Sequence, residues 1–119
     1  PWIVVEGVGG WMVPLGERLT MAEVARALGL PVILVVGLRL GCLNHALLTM
    51  EAIRRADLPL AGWVANRIDP VMTHVPENIA TLAQKIEAPL LAQVPYQFAA
   101  QPDVAGAVFP VDEMIMRFN

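Results

Sequence analysis

Three short segments of the chain combine residue types able to handle a nucleotide or another anion. In Glu6-Gly7-Val8-Gly9-Gly10, a carboxylate stands beside glycines whose bare backbone lets a phosphate come close. A carboxylate placed this way commonly holds Mg²⁺ directly or through water. The same residues also suit a glycine turn with a solvated glutamate. In Gly37-Leu38-Arg39-Leu40-Gly41-Cys42-Leu43-Asn44-His45, an apolar run passes through glycines into a helical pattern. The first-turn amides of such a helix are free to bind an anion, assisted by the helix dipole. Here Asn44 is expected either to cap the helix or to touch a ligand. Cys42 reads as a small buried residue, since the sequence sets no base near it. In Val64-Ala65-Asn66-Arg67, an asparagine at the end of an apolar run offers a donor and an acceptor in one plane, as a purine edge requires. Asn66 could equally be a turn former. His45 and His74 have no second ligand at metal spacing, so no zinc site is expected. Trp2, Trp11 and Trp63 read as core or interface packing.

These segments need elements to position them. Four apolar runs read as strands: Trp2 to Val5, Pro31 to Val36, Leu60 to Ala65 and Leu90 to Val94. Continuous apolar runs suit parallel strands covered on both faces. Helical patterns lie between them. Thr20 and Glu23 form a capping-box pair for a helix running to about Leu28, with Gly29 past its end. Asn44 to Ala56 carries Leu47, Leu48, Ile53 and Ala56 on one side and Glu51, Arg54 and Arg55 on the other. Pro76 suits the first turn of a helix reaching Ile86, and a last helix is expected after Pro110. The order β-α-β-α-β-α-β-α predicts an α/β fold with a mainly parallel sheet and crossover helices. In such sheets ligands sit beyond the carboxyl ends of the strands. That rule selects Glu6–Arg18, Gly37–Asn44, Asn66–His74 and Pro95–Gln101 for chemistry.

At 119 residues the chain fits one domain or part of one. A net charge of −3 argues against a basic footprint for nucleic acid or for an anionic membrane surface. The apolar stretch Leu28–Leu38 is too short for a membrane-spanning helix. One cysteine cannot form an intrachain disulfide, which favours a reducing, cytoplasmic compartment. No signal peptide is expected. The chain opens without methionine on a strand-like run, so Pro1 is expected to be a truncation point or the start of an ordered fragment. Hydrophobic residues make up 56% of the chain, which suggests surfaces covered by further chain or by a partner.

Taken together, the segments resemble dethiobiotin synthetase. The match is carried by Val5 to Trp11 followed by Pro14-Leu15, Leu30 to Gly37, Leu40 to Ala46, Leu60 to Asn66, Ala88 to Leu91, and Val94-Pro95-Tyr96. It covers roughly residues 2 to 105, in order. The resemblance implies a P-loop NTPase-like fold, with residues 1–119 forming the carboxy-terminal part of a single domain that is incomplete at its amino-terminal side. It implies a homodimeric ligase that closes a cyclic urea on 7,8-diaminononanoate, using CO₂, ATP and Mg²⁺. The route runs through a carbamate and a carbamic-phosphoric anhydride.

By the same resemblance, Glu6 is a Mg²⁺ ligand, and Gly7, Val8 and Gly9 line the ATP phosphates. Asn66 meets adenine, and Pro95 and Tyr96 close over the base. Gly41, Cys42, Leu43 and Asn44 bind the substrate carboxylate across the dimer interface. The sequence departs from the family in three ways. No phosphate loop of the Gly-x-x-x-x-Gly-Lys-Ser/Thr type occurs in it, so these residues alone are expected to be inactive. Ala99-Ala100 stand where an acidic ribose contact is often found. The tail from Ala105 to Asn119 shows little resemblance. Two other readings compete: another ATPase of this group (a partitioning ATPase or a cobyrinate-type ligase), or a non-catalytic dimerisation module.

Overall fold

A computed structural model of the chain describes residues 3–97, 99 and 101–118. Helix α1 spans Met21–Leu28, strand β1 Val32–Leu38, helix α2 Cys42–Arg55, strand β2 Leu60–Arg67, helix α3 Val75–Lys85 and strand β3 Leu90–Val94. Two helices close the chain, α4 (Pro102–Gly106) and α5 (Val111–Phe118). The strands form one parallel sheet in the order β1-β2-β3. The α/β class, the parallel pairing and the crossover helices are those read from the sequence.

Local rules set the element ends. The Thr20 backbone N–H and hydroxyl donate to the Glu23 carboxylate at 2.6 and 3.1 Å, which is the expected capping box. Gly29 ends α1 in the left-handed region at φ 64°. Pro76 lies within the first turn of α3, where its missing N–H costs no ladder bond.

Two expectations are corrected, and one element was not foreseen. The run from Trp2 to Val5 is no strand where it is described: residues 3–8 have no regular structure, and Ile3, Val4 and Val5 are exposed. Its β-branched composition finds no neighbouring strand to pair with, and composition alone cannot make a sheet. Pro1 and Trp2 lie outside the described residues. Second, burial on both faces holds for β2, where Gly62, Trp63, Val64 and Ala65 are buried in succession, but not for β1. There Val36 and Leu38 are buried while Ile33 and Val35 are 39% and 59% exposed, since the face that carries them is left uncovered among the described residues. Helix α4 was not read from the sequence. Its five residues carry too little periodicity to register.

The core lies between the sheet and the helices α2 and α3. Val36, Leu38, Cys42, Ala46, Trp63, Ala65, Leu82 and Ile86 form its buried cluster. Trp63 and Leu82 are fully enclosed, at 0% exposure. On the solvent side of α2, Glu51 accepts from Arg54 Nη2 at 2.8 Å and from Arg55 Nε at 3.0 Å. No helix is long and apolar enough to cross a membrane among the described residues.

Two outcomes follow from this packing. Leu82→Ala in the complete protein is expected to lose about 2–5 kcal/mol of stability, read by denaturant unfolding, since the cavity it leaves is enclosed on all sides. The Arg54 hydrogen bond first, then that of Arg55, lowers the Glu51 pKa from 4.5 to about 2. A depressed carboxyl pKa stabilises the fold above the unfolded value, and that contribution fades as pH falls from 4.5 towards about 2. A carboxyl titration by NMR should place the Glu51 midpoint near that lower value. One molar salt should raise it, because exposed pairs are screened.

Candidate functional site

Parallel register lines up the strand ends. Gly37 pairs with Asn66, and Asn66 pairs with Val94, so these three residues sit side by side at the carboxyl rim. The segments leaving that rim are Leu38–Gly41, Arg67–His74 and, as far as it is described without a break, Pro95–Gln97. The structure therefore brings together three of the four segments selected from the sequence. Asn66 is half-buried on β2, Pro95 is exposed and Tyr96 is half-buried just past β3. The loop after Asn66 is braced internally: Arg67 Nη2 donates to the Pro70 carbonyl at 3.4 Å, and the Val71 N–H donates to Asp69 Oδ1 at 2.9 Å. Ala99, on the ribose side of the resemblance, is exposed, and Ala100 lies outside the described residues.

The turn Gly41–Asn44 opens α2. Gly41 is its N-cap at φ 93°, a conformation that suits glycine and strains other residues. The Cys42 N–H turns back to the Arg39 carbonyl at 3.0 Å, and the His45 N–H starts the helical ladder on Gly41 at 3.1 Å. Among the described residues no backbone carbonyl takes the Leu43 or Asn44 amide, so both remain available as donors. The first turn holds no acidic residue, and the last turn carries Arg54 and Arg55. The macrodipole is thus left open to an anion at the amino end, with the exposed Arg39 beside it. Of the two roles read for Asn44, capping is the one it does not take. It falls inside the helix and is exposed, because the left-handed glycine has already started the turn. Cys42 is 2% exposed, so its side chain is core and only its backbone faces the turn. Leu43 is half-buried against the core cluster.

Glu6 and the glycines after it are exposed and follow no strand. Their turn is still specified. Gly9 adopts φ 86°, and a Cβ there would lie 2.9 Å from Val13 Cγ2. The chain then doubles back: the Leu15 N–H donates to the Leu19 carbonyl at 2.7 Å, and the Met21 N–H donates to the Val13 carbonyl at 3.0 Å. Trp11 and Met12 line an open groove with His45, Leu48, Thr49 and Ala52 of α2. Among the described residues no cluster of three or more His, Cys, Asp or Glu could hold a metal ion. Mg²⁺ needs no such cage, since it usually keeps waters and takes one or two carboxylates plus phosphate oxygens. A single exposed Glu6 in a glycine turn fits that requirement.

One polar residue at this end of the fold was not read from the sequence. Asn78 in α3 joins the His74 turn to Cys42, with bonds of 2.8 Å to the His74 carbonyl and 3.9 Å from the thiol. Its sequence context is that of an ordinary helix asparagine, so nothing marks it out.

A family profile described as "AAA domain" matches residues 1–103. The chain belongs to the AAA domain family. Within that family it is similar to the ATP-dependent dethiobiotin synthetase BioD of Aromatoleum aromaticum, at 60% identity over 105 residues. That match takes in 88% of this chain and 47% of the relative. The protein of the same name from Cellvibrio japonicus is 59% identical, over 87% of this chain and 46% of its own length. That of Pseudomonas paraeruginosa is 55% identical, also over 87% and 46%. The resemblance read from the motifs is borne out, and this AAA domain chain spans about half the length of the curated relatives it matches.

Gly41→Ala isolates the value of the left-handed cap. A Cβ there meets nothing within 4 Å, so only backbone strain is added. Roughly 1–2 kcal/mol of destabilisation is expected in thermal unfolding.

Proposed function

We propose that these residues form the carboxy-terminal part of one P-loop NTPase-like domain in an ATP-dependent dethiobiotin synthetase. That enzyme joins CO₂ to 7,8-diaminononanoate and closes the cyclic urea of dethiobiotin in biotin biosynthesis. The observation that carries the reading is the anion-ready turn Gly41–Asn44, set at the same rim as Asn66. Each protomer then offers a carboxylate site and a purine site at neighbouring strand ends, and the carboxylate site serves the substrate across the dimer interface.

The residues divide the work by their chemistry. The Leu43 and Asn44 amides, the helix dipole and Arg39 suit a carboxylate tail, and the apolar Leu43 suits the methylene chain beside it. Asn66 presents the paired donor and acceptor that adenine requires, with Pro95 and Tyr96 as the flat apolar cover. Gly7, Val8 and Gly9 offer backbone to the phosphates, and Glu6 supplies the carboxylate for Mg²⁺. When bound, Mg²⁺ neutralises phosphate charge during phosphoryl transfer. Holding the amine-derived carbamate near the terminal phosphate makes the transfer effectively intramolecular. A second amine then displaces phosphate and closes the ring.

The phosphate loop of such enzymes, with its lysine, is not among these residues, so the 119-residue chain alone is inactive. The proposed assembly is a cytoplasmic homodimer. Exposed Val8, Met12, Leu40 and Leu48, at 80%, 67%, 95% and 61%, support a covering partner surface.

The test is dethiobiotin formation by the complete protein from the diamino acid, bicarbonate and Mg·ATP. Asn66→Ala should raise the KM for ATP by about tenfold, the worth of one good hydrogen bond. Glu6→Gln should lower kcat by roughly 100-fold and shift the Mg²⁺ dependence to higher concentration. Absence of dethiobiotin in the wild-type reaction would sink the proposal.

A further inference from the structure

Asn78 lies in the first turn of α3, and no part of the proposed chemistry uses it. Its side chain is half-buried, and both ends are engaged. Nδ2 donates to the His74 carbonyl at 2.8 Å, and the backbone N–H of Asn78 donates to the same oxygen at 3.0 Å. Oδ1 receives the Cys42 thiol at 3.9 Å. The short Nδ2 bond settles the orientation of the amide, because only that end can donate to a carbonyl.

Both anchors sit at sensitive points. His74 ends the loop that leaves β2, and it caps α3 at φ 57°, a left-handed conformation unfavourable for a residue other than glycine. Its own side chain makes no cap. Instead, its Nδ1 stands 3.7 Å from Glu77 on the surface. A doubled hydrogen bond from Asn78 therefore holds this turn closed. Cys42, the other anchor, is the first residue of α2 and directly follows Gly41. A thiol-to-amide contact at this length is weak. Its position is nevertheless fixed, because Cys42 and Leu82 share the buried core cluster and Val75 and Ile79 pack against it.

We propose that Asn78 is a positioning residue that sets the Gly41–Asn44 turn against the Arg67–His74 loop, and so determines how the turn presents its amides to a bound carboxylate. This rests on reading Gly41–Asn44 as the carboxylate site. Asn78 touches no ligand. It acts through Cys42 on one side and His74 on the other, tying together two strand-end segments that belong to different crossovers. Loss of the amide frees the left-handed turn to relax and leaves the thiol without its acceptor. The first turn of α2 then shifts relative to β2.

The experiment measures binding to the complete protein by calorimetry, with 7,8-diaminononanoate and with the same diamine lacking its carboxylate. Asn78→Ala should weaken binding of the diamino acid by about fivefold to tenfold, as for one misaligned charge-assisted hydrogen bond, and leave the carboxylate-free diamine unchanged. Asn78→Asp, nearly the same shape, cannot donate to the His74 carbonyl and should show the same selective loss. It keeps the test open should the alanine variant fold poorly. Equal weakening of both ligands, or no change in either, would overturn the positioning role. A wild-type protein that does not prefer the diamino acid over its analogue would instead sink the carboxylate reading of the turn, and the role of Asn78 with it.

Discussion

The structure depends on the burial of one strand. β2 is paired on both edges and covered on both faces, so its backbone bonds and its apolar side chains are withdrawn from water together. Each feature requires the other. A parallel strand left open on one face exposes apolar side chains, and a covered strand left unpaired buries backbone groups at high cost. Trp63 sits at the centre of this arrangement with no exposed surface, between Leu34 on β1 and Leu90 on β3 in register. Everything at the rim takes its height from that register. Asn66 stands at the end of the sheet because three residues earlier Trp63 cannot slide without leaving its socket.

The rim in turn is made specific by backbone conformations more than by side-chain charge. Gly41 turns the chain into α2 with a left-handed step, and His74 makes a left-handed step into α3. The first is free of steric cost and the second is not, which is why a side chain has to brace it. The proposed carboxylate site is accordingly built from amides, a dipole and a nearby arginine. It lacks any buried charge that would need compensation.

How much of this could be read in advance depends on the range of the interactions involved. β3, the capping box at Thr20, the left-handed Gly29 and the proline in the first turn of α3 follow from neighbours within a few residues. All were legible. The Asn66 and Gly41 segments were legible as strand ends, and the ends of a parallel sheet are where ligands are to be sought. The Trp2–Val5 run misled because pairing is a property of two strands, and only one partner was visible in the text. The capping role open to Asn44 was not realised, because a good capping residue yields when a glycine upstream has already begun the helix. Asn78 was invisible, since its two partners are brought to it only by the packing of α2 on α3.

The unequal support of the strands gives the rim an internal gradient. β2 has neighbours on both sides, whereas β1 has one, and the outward face of β1 leaves Val35 more than half exposed. Local opening costs least where few apolar contacts must be broken. Within these residues, then, the outward face of β1 is the first to feel a fluctuation, while Trp63 and Asn66 keep their register on β2. The α2 turn is tied to that fixed strand through the buried Cys42 and Ala46, not through the edge of the sheet.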